Sequence, residues 1–229
     1  MNCKWVLFVF FGVSLFLPGC LATENELNES GLVVGVTAPS EKKIIQLNQE
    51  NVVHAPDWEA GSEWSYSDGY SLRVKFTAGD VTVFQRLDAP ERWYSRRGFL
   101  REESKSKTVM RKIIYRTVAP AAGMSLTVGS PLAFHREYLS NSKLMVHNTS
   151  WSLEGREKVS VPAGQFDAWV IVMRTRSLKS NWVGFERWWY SPDVQHYVRM
   201  EYKYGSSPEG SRVLMSYKLG AKALSKVAD

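Results

Sequence analysis

Four histidines are the first candidates for metal chemistry in this sequence of 229 residues. They stand at positions 54, 135, 147 and 196, so no two are two or four residues apart, and none is next to a cysteine. Zinc sites draw on closely spaced histidine and cysteine ligands. The nearest combination is His135 with Glu137, which share one face of a strand, and two ligands do not make a site. The sequence therefore predicts no metal site and no cofactor.

Three carboxylates near position 155 are the candidates for acid–base catalysis. Glu154 and Glu157 flank Gly155, and Asp167 follows in the next apolar segment. Glycoside hydrolysis needs two such groups, but charges at the rims of hairpins also serve solubility. The Gly-x-Ser-x-Gly motif of serine hydrolases is absent from the sequence. We therefore predict that the protein is not an enzyme.

Tryptophan is the most unusual component of the sequence, with nine residues, two of them adjacent at Trp188 and Trp189. Neighbouring side chains of a strand point to opposite faces, so one indole of the pair leaves the shared core unless something covers the second face. One interpretation is a large β core with a covering element. The other is an aromatic-lined concavity for a lipid, sugar or peptide, with one indole in the core and the other on a ligand-binding rim.

Cys20 is the candidate for covalent modification. Lys4 precedes an apolar run, Trp5–Leu17, which suits an export signal and is short for a permanent membrane helix. The stretch Leu17-Pro18-Gly19-Cys20 then resembles the lipobox of bacterial lipoproteins. The resemblance implies cleavage before Cys20 and a lipid on its thiol, although Pro18 departs from the small residue usual there. The alternative is cleavage after Ala22, which gives a soluble secreted protein.

The mature chain is accordingly expected in the bacterial cell envelope, with a lipid anchor in the membrane and its domain in the periplasm. Leu21 after the cysteine favours the outer membrane, by resemblance to enteric lipoproteins. The net charge is +6, or +5 once Lys4 is removed. Basic residues are scattered and no recognition motif occurs, so no nucleic-acid partner is predicted. They form a solvated surface, or they attract acidic envelope polymers and anionic headgroups.

Composition divides the chain into four segments. Residues 1–19 are the signal peptide, 20–57 are the lipidated cysteine and a flexible tether, 58–219 are one antiparallel β domain, and 220–229 are a tail. Within the tether, the apolar residues of 41–53 indicate a short helix or a docking strand. Residues 119–131 are rich in proline, glycine, serine and threonine and are predicted as loop, whereas 132–139 fit a strand or a brief helix.

Alternation of apolar and polar residues predicts the strands of the β domain. Val161-Pro162-Ala163-Gly164 is typical of a tight turn, with Phe166 expected to be buried beyond it and the strand that follows covered on both faces. About ten strands joined by short turns indicate a mainly β fold. We expect a single curved antiparallel meander or partial barrel, with a two-sheet sandwich as the alternative.

Two hairpin motifs carry a family resemblance. They are Val161-Pro162-Ala163-Gly164-x-Phe166-x-Ala168 and Trp188-Trp189-Tyr190-Ser191-Pro192. With these motifs the chain resembles a broad group of uncharacterised bacterial periplasmic proteins and lipoproteins, which is similar to the curved β-sheets of periplasmic lipoprotein carriers. The resemblance implies a fold and a compartment, and it brings no activity with it.

Two functions remain open on the sequence. The first is a membrane-anchored, non-catalytic module that binds an apolar or glycan ligand of the envelope, with Trp188 and Trp189 as the candidate ligand-binding residues. The second is a structural accessory of an envelope protein complex. A hollow, apolar interior of the sheet would favour the first. A filled interior with an exposed apolar patch would favour the second.

Overall fold

The computed structural model describes residues 51–106, 109–116, 123–140 and 143–221. The predicted signal peptide, Cys20, the tether up to residue 50 and the tail from residue 222 lie outside this part of the chain. Among the described residues, no helix has the length and apolar character needed to cross a membrane.

Strands dominate the described residues, as predicted. There are fourteen: β1 Val52–His54, β2 Glu63–Tyr66, β3 Ser71–Ala78, β4 Val81–Arg86, β5 Trp93–Arg97, β6 Leu100–Lys105, β7 Met110–Tyr115, β8 Ser125–Thr127, β9 Leu132–Ser140, β10 Lys143–Val161, β11 Gly164–Ser177, β12 Val183–Ser191, β13 His196–Tyr204 and β14 Gly210–Lys218.

Twelve of these strands form a closed antiparallel barrel. Neighbours follow chain order from β2 to β14 except that β8 leaves the barrel, so β7 pairs with β9. The barrel closes where β14 pairs with β2, with Tyr217 opposite Trp64. The prediction of an open or partial barrel is therefore corrected to full closure, and the sandwich alternative is wrong. Closure removes the two edges that an open sheet would leave unpaired.

The short pair β1 and β8 lies apart from the barrel ladder. Val53 is paired with Leu126, and both side chains are buried. β1 falls within the segment predicted as tether, where a docking strand was one alternative. β8 falls within 119–131, where the sequence predicted only loop. Three residues are too few to produce a strand pattern that stands out from the turn residues around them.

One end of the barrel is filled by a packed core. Trp64 and Phe84 are fully buried there, and the Trp64 Nε1 donates to the carbonyl oxygen of Val194 at 2.8 Å. Trp58, from the segment before β2, packs edge-on against Phe84 and donates to the carbonyl oxygen of Gln195 at 2.7 Å. These contacts plug the barrel at this end, and the other end is hollow.

The hairpin of β10 and β11 is much longer than its neighbours. A register shift between Leu153 and Gly155 bends it, and its tip then contacts the outer face of the barrel. Ala163 there donates its backbone N–H to the carbonyl oxygen of Leu214 at 3.3 Å. The residues of β11 from Ala168 to Met173 are all buried, which confirms that both faces of this strand are covered.

Phe166 is 8% exposed and meets the Tyr217 ring edge-on, with 6.1 Å between centroids. Its burial and the turn between Val161 and Gly164 agree with the sequence prediction.

We expect Phe166→Ala to lower the free energy of unfolding by about 3 kcal/mol, the lower end for a buried phenylalanine, because water can enter beside the half-exposed Tyr217. Urea denaturation measures this. Ile114→Ala, at an exposed site, is the control and should change stability by less than about 0.5 kcal/mol. Equal effects would contradict the packing of the hairpin tip.

Candidate functional site

The hollow end of the barrel encloses a cavity of about 620 Å³ between β5–β7 on one side and β9–β12 on the other. We call it the main chamber. Its volume lies within the range of small-ligand sites. A side chamber of about 320 Å³ adjoins it toward β3, β4, β13 and β14. The two share a wall that includes Arg101, Arg111, Glu186 and Tyr204.

Four arginines face the main chamber, and we call them the arginine quartet: Arg96, Arg101, Arg111 and Arg136. Glu186 is the one carboxylate among the chamber's described lining residues. Four guanidinium groups against one carboxylate leave an excess of three positive charges. The charges are not paired on the protein, because among the described residues no member of the quartet forms an ion pair.

The barrel ladder places two members of the quartet directly opposite each other. Arg96 on β5 pairs with Arg101 on β6, and like charges in that position destabilise a sheet. Arg96 is 4% exposed and donates one bond, to the carbonyl oxygen of Phe99 at 2.8 Å. Its Nε has no partner. This arrangement costs folding free energy unless something negative enters the chamber.

Aromatic rings partly balance the quartet. The guanidinium of Arg96 lies 4.7 Å from the Trp188 ring, and that of Arg101 lies 4.5 Å from the Tyr94 ring. Arg111 and Arg136 both lie 5.9 Å from the ring of Tyr138. Such contacts stabilise a cation by about 0.5–2 kcal/mol, which is well below the value of a hydrogen-bonded ion pair in the same place.

Glu186 is held in a fixed position. One carboxylate oxygen accepts the Trp188 Nε1 at 2.9 Å and the other accepts the Tyr204 hydroxyl. Burial, followed by the charge of Glu186 and its hydrogen bond, raises the pKa of Tyr204 far above its ordinary value. The hydroxyl therefore stays protonated, and the carboxylate presents a fixed acceptor to the chamber.

His147 faces the main chamber from β10 with neither ring nitrogen hydrogen-bonded. Its ring stacks on Trp182 at 4.8 Å and meets Tyr138 edge-on at 5.3 Å. Burial, with a smaller effect of the Arg136 charge, lowers its pKa to about 4. At neutral pH it is therefore an uncharged imidazole, which offers one donor and one acceptor to whatever occupies the chamber.

Two glycines allow Trp182 to reach this position. A Cβ on Gly184 would lie 2.8 Å from the indole, and a Cβ on Gly205 would lie 2.7 Å from it. Gly205 also has a φ of +57°, which favours glycine. The indole therefore closes over His147 at the rim of the chamber.

The side chamber differs in its electrostatics because Arg86 and Arg212, which line it and not the main chamber, are paired. Arg212 contacts Asp68 at 3.0 Å, and Arg86 forms an ion pair with Asp88. Both guanidinium groups also lie over the ring of Tyr70, at 4.1 and 4.5 Å. The charges of Arg86 and Arg212 are therefore satisfied by the fold, and the unpaired charge lies on the wall that the two chambers share and in the main chamber.

The two predicted tryptophans are separated by the barrel wall. Trp188 points inward and lines both chambers, whereas Trp189 lies on the outer face. There the Trp189 Nε1 donates to Glu157 at 2.6 Å, and Arg199 lies 4.5 Å from its ring. Both indoles are 5% exposed. The structure therefore does not bring them to a common site, and Trp188 is the one placed where a ligand could stack.

Glu154 and His196, two further candidates from the sequence, do not line the main chamber. Glu154 pairs with Arg187 at 2.5 Å and Arg174 at 3.6 Å on the outer face. His196 is buried in the plugged end, where its Nδ1 hydrogen-bonds with the Tyr66 hydroxyl at 2.6 Å. Among the described residues, no three histidine, cysteine or acidic side chains gather into a metal-binding group.

An outer groove of about 660 Å³ runs over β9–β12 and is slightly larger than the main chamber. It is lined by Val183 and Phe185 together with Arg174, Arg176 and Lys203. These basic side chains are exposed, so water already solvates them. The main chamber is the stronger candidate, because buried polar atoms of its lining lack partners: both ring nitrogens of His147 and the Nε atoms of Arg96 and Arg136.

The arginine quartet was not predicted from the sequence. Its members belong to β5, β6, β7 and β9, and no two are close in sequence except Arg96 and Arg101. The one local signal was in β7, where Arg111 and Lys112 put charge on both faces of the strand. An inward charge on a predicted strand is the sign of a polar interior.

Comparison with known proteins gives similarity in fold only. The chain matches no protein-family model, and no curated protein matches it in sequence. Among solved structures it is similar to the hypothetical lipoprotein YmcC from Escherichia coli, at 7% identity over 69% of this chain and 84% of the other, with a TM-score of 0.48. It is also similar to a candidate exported protein with a YmcC-like fold from Bacteroides fragilis, at 14% identity over 72% and 99% of the two chains, with a TM-score of 0.43.

A third similar structure is a candidate lipoprotein from Parabacteroides distasonis, at 16% identity over 72% of this chain and 98% of the other, with a TM-score of 0.37. All three TM-scores are below 0.5, so these similarities give no basis for assigning a function to the chain.

Proposed function

We propose that this chain is a bacterial envelope protein, anchored through Cys20, whose barrel is a non-catalytic module that binds a glycan in the main chamber. The observation that carries the proposal is a partly open chamber of about 620 Å³ that combines aromatic rings with fixed hydrogen-bonding groups. A sugar ring needs both, because it has an apolar C–H face and a rim of hydroxyl groups.

The lining of the chamber favours a glycan over an acyl chain. Ile113, Met145 and Met173 are its aliphatic residues, and they are too few to cover a lipid tail. On the sequence, a hollow interior that binds a ligand was expected to be apolar. The interior that is present is aromatic and charged, and this favours the glycan over the apolar ligand.

The absence of catalysis is part of the proposal. Hydrolysis of a glycosidic bond uses two carboxyl groups flanking the bond. The described lining of the main chamber offers Glu186 alone, which is one carboxyl group where hydrolysis needs two. Glu154 and Glu157 are engaged with arginine and tryptophan on the outer face.

Separate substitutions of the adjacent tryptophans test the proposal. Trp188→Leu removes the indole that faces the chamber, and Trp189→Leu removes an equally buried indole on the outer face. With a panel of defined di- and trisaccharides, we expect at least one to bind the wild-type protein and to bind Trp188→Leu about tenfold more weakly, because ring stacking contributes about 0.5–1.5 kcal/mol beyond area. Binding to Trp189→Leu should be unchanged.

Isothermal titration calorimetry measures these affinities, and melting curves establish that both variants are folded. If no saccharide of the panel binds the wild-type protein, or if both variants bind equally well, the glycan-binding proposal is wrong.

The anchor is tested separately. Because Cys20 follows the apolar leader in a lipobox-like stretch, we expect Cys20→Ala to move the protein from the membrane fraction to the soluble periplasmic fraction, or to stop its maturation. Fractionation followed by mass determination checks this. A Cys20→Ala protein that remains membrane-bound at its processed size would refute the anchor.

A structural accessory is the second candidate function. Its supporting observation is an exposed apolar pair on the outer face, Leu139 and Leu144, which lie opposite each other on β9 and β10 and are 55% and 43% exposed. A pair of leucines is a small patch for a protein interface, and the hollow chamber favours ligand binding.

A further inference from the structure

We infer that the glycan bound in the main chamber is acidic, carrying a carboxylate or phosphate on its sugar ring, and that the arginine quartet recognises this anion. The inference rests on the proposed glycan-binding function and adds the charge of the ligand to it. Its basis is the excess of three positive charges around one enclosed volume.

The quartet has no carboxylate partner within ion-pair distance among the residues described. Arginines that serve the fold elsewhere in this barrel have carboxylate partners, as Arg97 has in Glu102 at 2.7 Å and Arg73 has in Glu63 at 2.7 Å. The quartet forms no such pair, and the Nε atoms of Arg96 and Arg136 are buried without any acceptor. Buried donors without an acceptor destabilise a fold, and an anion supplied by a ligand would satisfy them.

The donors also converge from several strands. Arg136 on β9 lies opposite Tyr115 on β7 and His147 on β10, and Arg96 lies opposite Arg101. Planar guanidinium groups bind carboxylate and phosphate with two parallel hydrogen bonds, which gives both strength and orientation. The unpartnered imidazole of His147 can donate a further hydrogen bond to the same group.

The remaining lining fits the sugar that carries the anion. The rings of Tyr138, Trp182 and Trp188 offer surfaces for the C–H face of a sugar ring, and the fixed carboxylate of Glu186 accepts from hydroxyl groups. A strongly anionic polymer without sugar rings would leave this carboxylate facing like charge. The combination therefore selects an acidic sugar unit.

Matched acidic and neutral sugars test the inference. The probes are glucuronate, galacturonate, mannuronate and glucose 6-phosphate, each beside its neutral parent sugar, with inorganic phosphate and acetate as free anions. We expect at least one acidic sugar to bind at least tenfold more tightly than its neutral parent, and the preference to weaken as ionic strength rises. The uronates and the sugar phosphate distinguish a carboxylate from a phosphate ligand.

Charge-removing variants locate the site. Arg111→Met and Arg136→Met should each lose at least tenfold in affinity for the acidic sugar, as expected for loss of a charge-assisted hydrogen bond. Affinity for the neutral parent should change little. Arg73→Met removes an arginine from the outer face and is the matched control, with no expected effect. Because the four guanidinium groups of the quartet repel one another, removal of one should not destabilise the fold. The two chamber variants should therefore melt at the same temperature as the wild-type protein or higher.

The outcomes separate the two proposals. If neutral sugars bind as well as acidic ones and binding needs Trp188, the glycan-binding function stands and the acidic ligand is refuted. Free anions that bind as tightly as any acidic sugar also refute it, because the sugar then contributes nothing. If no sugar binds at all, both proposals are wrong. Lower melting temperatures for Arg111→Met and Arg136→Met with unchanged affinity would make the quartet structural.

Discussion

Trp64→Ala is expected to lower the free energy of unfolding by about 5 kcal/mol, the upper end for removal of a buried aromatic side chain. Trp64 is fully buried in the plugged end and stacks on His196 with 4.8 Å between ring centroids. Its removal leaves a large cavity and also leaves the carbonyl oxygen of Val194 without its indole donor. Each effect alone destabilises a core.

Thermal unfolding measures this loss. For a domain of this size, about 5 kcal/mol corresponds to a fall of about 10–20 °C in melting temperature. Trp64→Phe keeps an aromatic ring in the core but removes the indole donor, so it should lower the free energy of unfolding by about 2 kcal/mol. Trp93→Ala, at a partly exposed site beside the side chamber, is the control with a small effect. A melting temperature of Trp64→Ala within a few degrees of the wild-type value would mean that the plugged end is not the stabilising core.

Local pattern predicted much of the barrel because each strand has one apolar face. In β13, alternation predicts one face with Val198, Met200, Tyr202 and Tyr204. The last three line a chamber, whereas Val198 falls at a register shift and has no partner on β12. The face shared by Glu186, Trp188 and Tyr190 in β12 was assigned correctly as well. The sequence did not determine which face is inside, because a shift of one residue exchanges the two.

Closure of the barrel could not be predicted because it depends on one long-range pairing. β2 and β14 are the first and the last barrel strands in the sequence. Only four residue pairs join them, from Tyr66–Leu214 to Glu63–Lys218. The local residue pattern of either strand does not identify the strand with which it pairs. The same sequence would also suit an open sheet with two edge strands.

The charged interior could not be predicted for a related reason. The register of the strands decides that the arginines at 96, 101, 111 and 136 face inward. The alternation of apolar and polar residues around them is irregular. The charges on both faces of β7 opposed a two-face assignment of that strand. With the fold in view, Arg111 faces the chamber and Lys112 faces solvent, and the irregularity marks a polar site instead of a weak strand.

Two buried histidines are expected to make the protein acid-labile. Burial lowers the pKa of His147 to about 4. Burial, followed by the charges of Arg96 and Arg212, lowers the pKa of His196 well below its ordinary value. Both rings therefore stay neutral in the folded protein as pH falls through 6.5, where each histidine of the unfolded chain accepts a proton.

The sign of the effect follows from proton uptake. Where the unfolded state binds more protons than the folded state, the free energy of unfolding rises with pH and is lost as pH falls. A histidine that stays neutral in the folded protein contributes up to about 1.4 kcal/mol per pH unit below 6.5, so the free energy of unfolding should fall steeply between pH 6 and pH 5. His147 borders the chamber, whose water screens its charge, and it gives the smaller share. Above pH 7 stability should not depend on these two groups.

His147→Phe isolates one of the two contributions without disturbing the packing. Phenylalanine keeps the stack on Trp182 and the edge contact with Tyr138, and it removes two buried nitrogens that have no partner. At pH 7 the variant should therefore be as stable as the wild-type protein or more stable. Urea denaturation between pH 6.5 and pH 5 should give a slope against pH that is reduced by up to half, because one proton fewer is taken up on unfolding. A slope that equals the wild-type value would mean that His147 is already protonated in the folded barrel, and the chamber would then carry a fifth positive charge instead of an uncharged imidazole.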